Sequence, residues 1–161
     1  FAQHSNGLLS RFHPLSVEEL PLPGLIPGRG AMIVRYGRPE EPLILVMLHL
    51  ALGLRTQKAQ IAHLCDAIRS YRYVVFMGDF NCHAERLLQD TALGELDLSP
   101  LPVQMKSFPS WRPEKGLDHI LVSRTLKVRN AGVICFPVSD HLPVAIDIAL
   151  PDDYFPSSPE S

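Results

Sequence analysis

In the stretch "VVFMGDFNCH", Asp79 and Asn81 stand one residue apart, just after an apolar run that stops at Gly78. A carboxylate can hold a cation or orient a water, and a carboxamide can donate to a phosphate oxygen. On extended backbone the two side chains point the same way and would serve one small site. The local alternative is an Asx-turn, in which both bond nearby backbone and only cap the strand. Three more apolar runs are interrupted in a similar way. "PVSDHLPV" places Asp140 and His141 just before the last run, "GLDHILVS" places Asp118 and His119 at the start of another, and "LVMLHLAL" sets His49 inside a third. A lone core histidine is an ordinary residue. Ionisable groups at the ends of four buried strands are another matter, because such groups persist only if paired, hydrated or metal-bound. Strand ends of one sheet system converge, and in α/β sheets the carboxyl edge is where ligands bind.

The elements that must hold these residues are legible as hydrophobic patterns. Residues 31–37, 43–50, 73–78, 117–123, 128–136 and 142–150 read as strands. The run 43–50 is apolar nearly throughout, as expected of a strand covered on both faces. Thr56 is the expected N-cap of a helix reaching about Tyr71, with Ile61, Leu64, Cys65 and Ile68 forming one apolar stripe. "RPEEP" reads as a tight polar turn between two strands. Residues 1–30 read as a short strand around "LSRFHPL" and a long Pro/Gly-rich loop, 84–90 as a short helix, and 91–116 as a long irregular loop. Strands dominate and a clear helix sits between two of them, which fits an α/β layered sandwich. We take residues 1–150 as one domain and 151–161, "PDDYFPSSPES", as a frayed or disordered tail.

Composition narrows the function classes. The 161 residues suit one domain, and 46% hydrophobic against 20% charged content supports a real core. A formal net charge of −2 announces no global basic field for nucleic acid. Cys65, Cys82 and Cys135 make an odd count without a CxxC, which argues against a disulfide framework and a thiolate zinc cluster. Each is expected to be a small buried residue in a reducing, cytoplasmic compartment. No apolar run approaches the length of a membrane span, and the start has no signal-peptide pattern. The first residue is Phe1, so the chain is expected to be a piece of something longer.

"MGDFN", "LDHILVS" and "SDHLPV", in this order and spacing, resemble the endonuclease/exonuclease/phosphatase superfamily of Mg²⁺-dependent, DNase I-like phosphoesterases. "LHLALGLRTQKAQIAHL" is similar to that family's histidine-bearing strand and following helix, and "NGLLSRF" to its Leu-Ser-Arg strand. The match runs from about Gly7 to Leu150. The resemblance implies a DNase I-like α+β sandwich with flanking helices that hydrolyses a phosphate ester. His141 would be the general base, with Asp118 holding its other ring nitrogen. Asp79 would orient the water or meet the metal, Asn81 would bond a phosphate oxygen, and His49 would donate to the phosphoryl group. Asp140 would be a metal ligand or support one, and oxygen ligands suit Mg²⁺ or Mn²⁺ better than zinc. The family's opening strands carry an Asn and a metal-binding Glu with no counterpart here, so the chain is expected to be the C-terminal larger part of such a domain. Glu18 and Glu19 lie in the wrong context to replace that Glu.

Several residues keep two readings. Trp111 and Arg112, in "SFPSWRP", could stack on and pair with a substrate, or anchor a loop through a buried tryptophan. Arg55 could face phosphate or solvent. Lys106, Arg112 and Lys115 around Trp111 form a modest basic patch, which suits one phosphorylated substrate or a nucleic acid. His119 faces away from Asp118 on a strand and is given a structural role. A zinc site of Asp79, Cys82 and His83 lacks a standard ligand spacing. The competing class is an inactive binding or scaffold module that keeps the fold.

Overall fold

Four apolar runs and two short flanking strands pair into one sheet, and that sheet divides the core into two layers. The computed structural model describes residues 6–24, 30–83, 86, 88–89, 91–101, 105–151 and 154–155. Its strands are β1 (Ser16–Pro21), β2 (Gly30–Arg38), β3 (Glu41–His49), β4 (Tyr73–Asp79), β5 (Leu98–Pro100), β6 (Asp118–Ser123), β7 (Lys127–Val133) and β8 (Val144–Ala149). Strands β1 to β6 form a sheet in the order β1-β2-β3-β4-β6-β5, and β7 pairs with β8 in a second, two-stranded sheet. All neighbours are antiparallel except β3 and β4, which run parallel. A parallel pair needs a crossover. Here it is the helix α1 (Leu54–Ile68).

Strand alternation sorts the central side chains between the layers. Ile44, Val46 and Leu48 of β3, Val74 and Phe76 of β4 and Leu121 of β6 join Ile61, Leu64, Cys65 and Ile68 of α1 in one buried cluster. The opposite face gives Leu43, Tyr73, Val75, Ile120 and Val122 to a second cluster, against which Val128, Val133, Val144, Ile146 and Ile148 of the small sheet pack. The expected sandwich is therefore present, with α1 on its outer side.

The helix differs from expectation at its start. It begins at Leu54, and the extended Gly53 is its N-cap without a side-chain bond, so Thr56 lies inside the first turn. Gln57 and Gln60 explain why no hydroxyl cap is needed to fix this end. Both are buried in α1, and their side chains bond the turns beside it. The first strand also moves: residues 6–15 carry no strand, and β1 starts at Ser16, where pairing with β2 becomes possible. The expected loop 91–116 holds a 3-10 turn, Ala92–Glu95, and β5, which finds its partner on β6. The expected helix 84–90 falls largely outside the described residues. Cys65 and Cys82 are buried as expected, whereas Cys135 is exposed beyond the end of β7.

Two residues of the stretch expected to fray are packed. The Tyr154 hydroxyl donates to the Glu41 carbonyl at 2.5 Å, and its ring meets Tyr73 edge-on. The ring lies so close over Gly37 that a Cβ there would sit 2.2 Å from it. Gly37 also has φ +82°, so the site admits only glycine without strain. Among the described residues, no helix is long and apolar enough to cross a membrane.

Candidate active site

The ends of three adjacent strands carry the polar residues. Because β3 and β4 are parallel and β6 is antiparallel to them, the last residues of the first two lie beside the first residue of the third. The register pairs His49 with Asp79, and Asp79 with Asp118. By alternation these side chains share the face of Met47, Met77 and Ile120, the face turned towards β7 and β8. His49 Nε2 stands 3.6 Å from Asp79 Oδ2. Leu50 N–H donates to the Asp79 carbonyl at 2.9 Å, which extends the ladder one step past His49.

Gly78 is a requirement of this edge. It has φ +143°, and a Cβ there would lie 1.9 Å from the carbonyl oxygen of Leu48. Only a residue without a side chain lets β4 approach β3 this closely just before Asp79. After it the chain turns sharply. Asn81 has φ +52°, so the extended backbone expected to align Asp79 with Asn81 is absent. In its place the Asx-turn forms: Asn81 N–H donates to Asp79 Oδ1 at 2.8 Å. The Asn81 carboxamide reaches across to the Leu50 carbonyl, also at 2.8 Å. Asp79 thus fixes the turn with one oxygen and turns the other to His49.

His141 comes from the segment between β7 and β8, a different sheet. Its Nδ1 lies 2.7 Å from Asp118 Oδ2. The two side chains are only 24% and 15% exposed, so the pair is sheltered from solvent screening. Burial pulls the His141 pKa down, but its bond to Asp118 and the charges of Asp118, Asp79 and Asp140 outweigh it, and the net shift is upward. The Phe108 ring lies against the imidazole with centroids 4.7 Å apart.

Asp140 is exposed in the same turn, and its carbonyl accepts from Ser110 N–H at 2.7 Å. Trp111 follows Ser110 and is 75% exposed, so it is not the buried loop anchor that one reading allowed. Arg112 pairs with Glu114 at 2.8 Å in solvent. Arg55 is exposed on the first turn of α1. His119 faces the other way, as expected, with its Nε2 2.6 Å from the Cys82 carbonyl. Among the described residues no three His, Cys, Asp or Glu side chains form a ready metal cage, and this holds for Asp79, Cys82 and His83.

Two kinds of residue escaped the sequence reading. Ser107 is fully buried and donates its hydroxyl to Asp118 Oδ2. Nothing in its loop sequence marks it. Gln57 donates to the carbonyls of Ala51 and Phe80, and Gln60 accepts from Ala51 N–H at 2.9 Å. They hold the turns that follow His49 and Asp79. A signal did exist: Gln57, Gln60, Ile61 and Leu64 continue the helical stripe at i, i+3, i+4 and i+7.

The profile of the Endonuclease/Exonuclease/phosphatase family matches residues 2–141, a span that contains every one of these groups. The chain belongs to that family, one of hydrolytic phosphoesterases. No curated protein sequence matches it. Among solved structures it resembles a mannosyl-6-phosphatase of Bacteroides thetaiotaomicron, with TM-score 0.67, 16% identity, and coverage of 86% of this chain and 67% of that one. The human Nocturnin catalytic domain with bound sulfate gives TM-score 0.62 and 19% identity, over 86% of this chain and 60% of that one. Danio rerio TDP2 complexed with a single-strand DNA product gives 0.66 and 15%, over 87% and 69%. At these identities the likeness is one of fold. The chain spans about two thirds of the length of such neighbours.

Proposed function

We propose that the protein is a divalent-metal-dependent phosphoesterase that hydrolyses a phosphodiester or phosphomonoester by in-line attack of water. The observation that carries this reading is the contact of Asp118 with His141 Nδ1 at a strand edge lined by further phosphate-compatible groups. With Nδ1 engaged, Nε2 is the nitrogen that takes a proton. As the water oxygen bonds to phosphorus, His141 accepts its proton and the bond from phosphorus to the leaving oxygen breaks. Asp118 fixes the imidazole and stabilises its cation. His49 donates to the phosphoryl oxygens as their charge grows. Asn81 spends one amide proton on Leu50, and an amide carries a second for a phosphate oxygen.

The donor set fits a hard cation. Asp79 and Asp118 face each other across β4 and β6 and are only 17% and 15% exposed, so two like charges share a sheltered edge. Added positive charge relieves that repulsion. Asp79 and Asp140 would hold Mg²⁺ or Mn²⁺, which characteristically take one or two carboxylates together with water and substrate phosphate. The ion would supply charge neutralisation at the phosphate and the leaving oxygen. Trp111 and Arg112 on the loop tied to Asp140, and Arg55 beyond His49, are the substrate contacts in this proposal. The substrate is a phosphate ester. A nucleic acid is one possible class, and Lys106, Arg112 and Lys115 supply its positive charge. Free Cys65, Cys82 and Cys135 support a reducing, cytoplasmic setting.

The second reading is an inactive binding module, favoured by the absence of a three-residue metal cage among the described residues. Hydrolysis of bis(p-nitrophenyl) phosphate and of its monoester, with Mg²⁺, Zn²⁺ or EDTA, separates the two. Turnover that needs Mg²⁺ and disappears in His141→Ala supports the enzyme. A folded chain without turnover on either ester, or on a panel of phosphorylated sugars, nucleotides and oligonucleotides, supports the binding module.

A further inference from the structure

We propose that Ser107 is the positioning residue of the Asp118–His141 pair. It sets the rotation of the Asp118 carboxylate and, through it, the tautomer and orientation of His141.

Ser107 is fully buried in a loop whose neighbours Ser110 to Lys115 are largely exposed. Its hydroxyl donates to Asp118 Oδ2, the same oxygen that meets His141 Nδ1. Its N–H donates to the Lys115 carbonyl at 3.0 Å, and its carbonyl accepts from Leu142 N–H at 2.8 Å. One residue is therefore bonded to Asp118, to the residue after His141, and to the strand-like return of its own loop. Ser110 and Ser139 tighten the same junction. Ser110 Oγ donates to the Ser139 carbonyl at 2.6 Å, and Ser139 Oγ donates to the His141 carbonyl at 2.8 Å.

The physical need is specific. The terminal torsion of an aspartate is broad and roughly two-fold, so packing alone leaves the carboxylate free to turn. A single bond to a histidine on another sheet does not remove that freedom. A second donor on the same oxygen does. The proton of Ser107 is committed to Asp118 and its oxygen is closed to solvent, so Ser107 is not itself a nucleophile.

The test uses Ser107→Ala, Ser107→Thr and Ser107→Cys of the full chain. The first readout is the ¹⁵N spectrum of His141 at about pH 9.5, where an ordinary imidazole is neutral. Its resonances are assigned by loss in His141→Gln. Wild type and Ser107→Thr are expected to hold the Nδ1–H tautomer, and Ser107→Ala to show a mixture with Nε2–H. Should Ser107→Ala not fold, Ser107→Cys keeps the volume with a weak donor, and the same mixture is expected there. The second readout rests on the phosphoesterase reading. It expects kcat to fall roughly 10- to 100-fold in Ser107→Ala, the cost of one charge-assisted bond, with KM within about twofold and recovery in Ser107→Thr. A folded Ser107→Ala or Ser107→Cys that keeps the wild-type tautomer overturns the proposal. Absence of turnover in every chain, wild type included, counts against the phosphoesterase reading and leaves the ¹⁵N result to decide on Ser107.

Discussion

Replacing Gly78 with alanine attacks the site through its backbone. Gly78 holds φ +143°, which costs a residue with a side chain of the order of 1–3 kcal/mol. The new Cβ would lie 1.9 Å from Leu48 O and 2.9 Å from Leu48 C, both backbone atoms, so no side chain can swing away. Overpacking against a rigid wall adds about 1–3 kcal/mol. The sum centres on about 4 kcal/mol, a large share of the ~5–15 kcal/mol that stabilises a typical domain. Relief requires β3 and β4 to separate at the Leu48–Gly78 pair, one residue short of the His49–Asp79 pair. Urea unfolding followed by far-UV circular dichroism measures this. With a slope of about 2 kcal/mol per molar, the midpoint falls by about 2 M. Gly132→Ala in β7, where a Cβ meets nothing within 4 Å, is the control and stays within about 0.5 kcal/mol of wild type. A Gly78→Ala midpoint within 0.3 M of wild type, roughly the error of such fits, would refute the reasoning.

Other outcomes follow from the same contacts. The base form of His141 exists only above its pKa, which is raised from 6.5 in the metal-free protein, so the NMR titration midpoint of its ring without added metal is expected above that value. Asp118→Asn should move that midpoint down, and an unmoved midpoint would detach it from His141; under the proposed function it should also lower activity. For stability the sign is opposite. A raised folded pKa gives a contribution that is full below the unfolded value and fades as pH rises through the folded one, and Asp118→Asn should flatten this dependence in denaturation midpoints. Gln57→Leu strands the buried carbonyls of Ala51 and Phe80, at a cost of about 1–3 kcal/mol, and loosens the turns behind His49 and Asp79. Calorimetry that finds Gln57→Leu as stable as wild type would remove that role. Burial pushes the Cys65 thiol to about 12 and that of Cys82 to about 11, so maleimide under native conditions should label Cys135 alone. Mass spectrometry showing early modification of Cys65 or Cys82 would contradict the packing.

Much of the site was already present in the sequence as a pattern. Apolar runs mark the strands because burial on both faces excludes polar side chains, and so His49, Asp79 and Asp118 stand out at strand ends. The periodicity of Ile61, Leu64, Cys65 and Ile68 marks the crossover helix for the same reason. Motif order was enough for the family resemblance. What it does not contain is the register that sets His49, Asp79 and Asp118 in one row, because backbone pairing depends on which strands become neighbours. The bend at Asn81 was also hidden, since a left-handed residue follows from the Asx-turn and from the reach to Leu50 on another strand. Ser107 is an ordinary polar residue in sequence, and Gln57 and Gln60 show there only as polar members of the buried helical stripe. They acquire their roles only when folding buries them beside groups that need a partner. The composition and spacing of this chain determined which side chains can do chemistry. The resemblance anticipated that Asp118 would hold His141, but tertiary structure decided the geometry of that contact, because it joins two sheets and no local rule reaches from one sheet to the other.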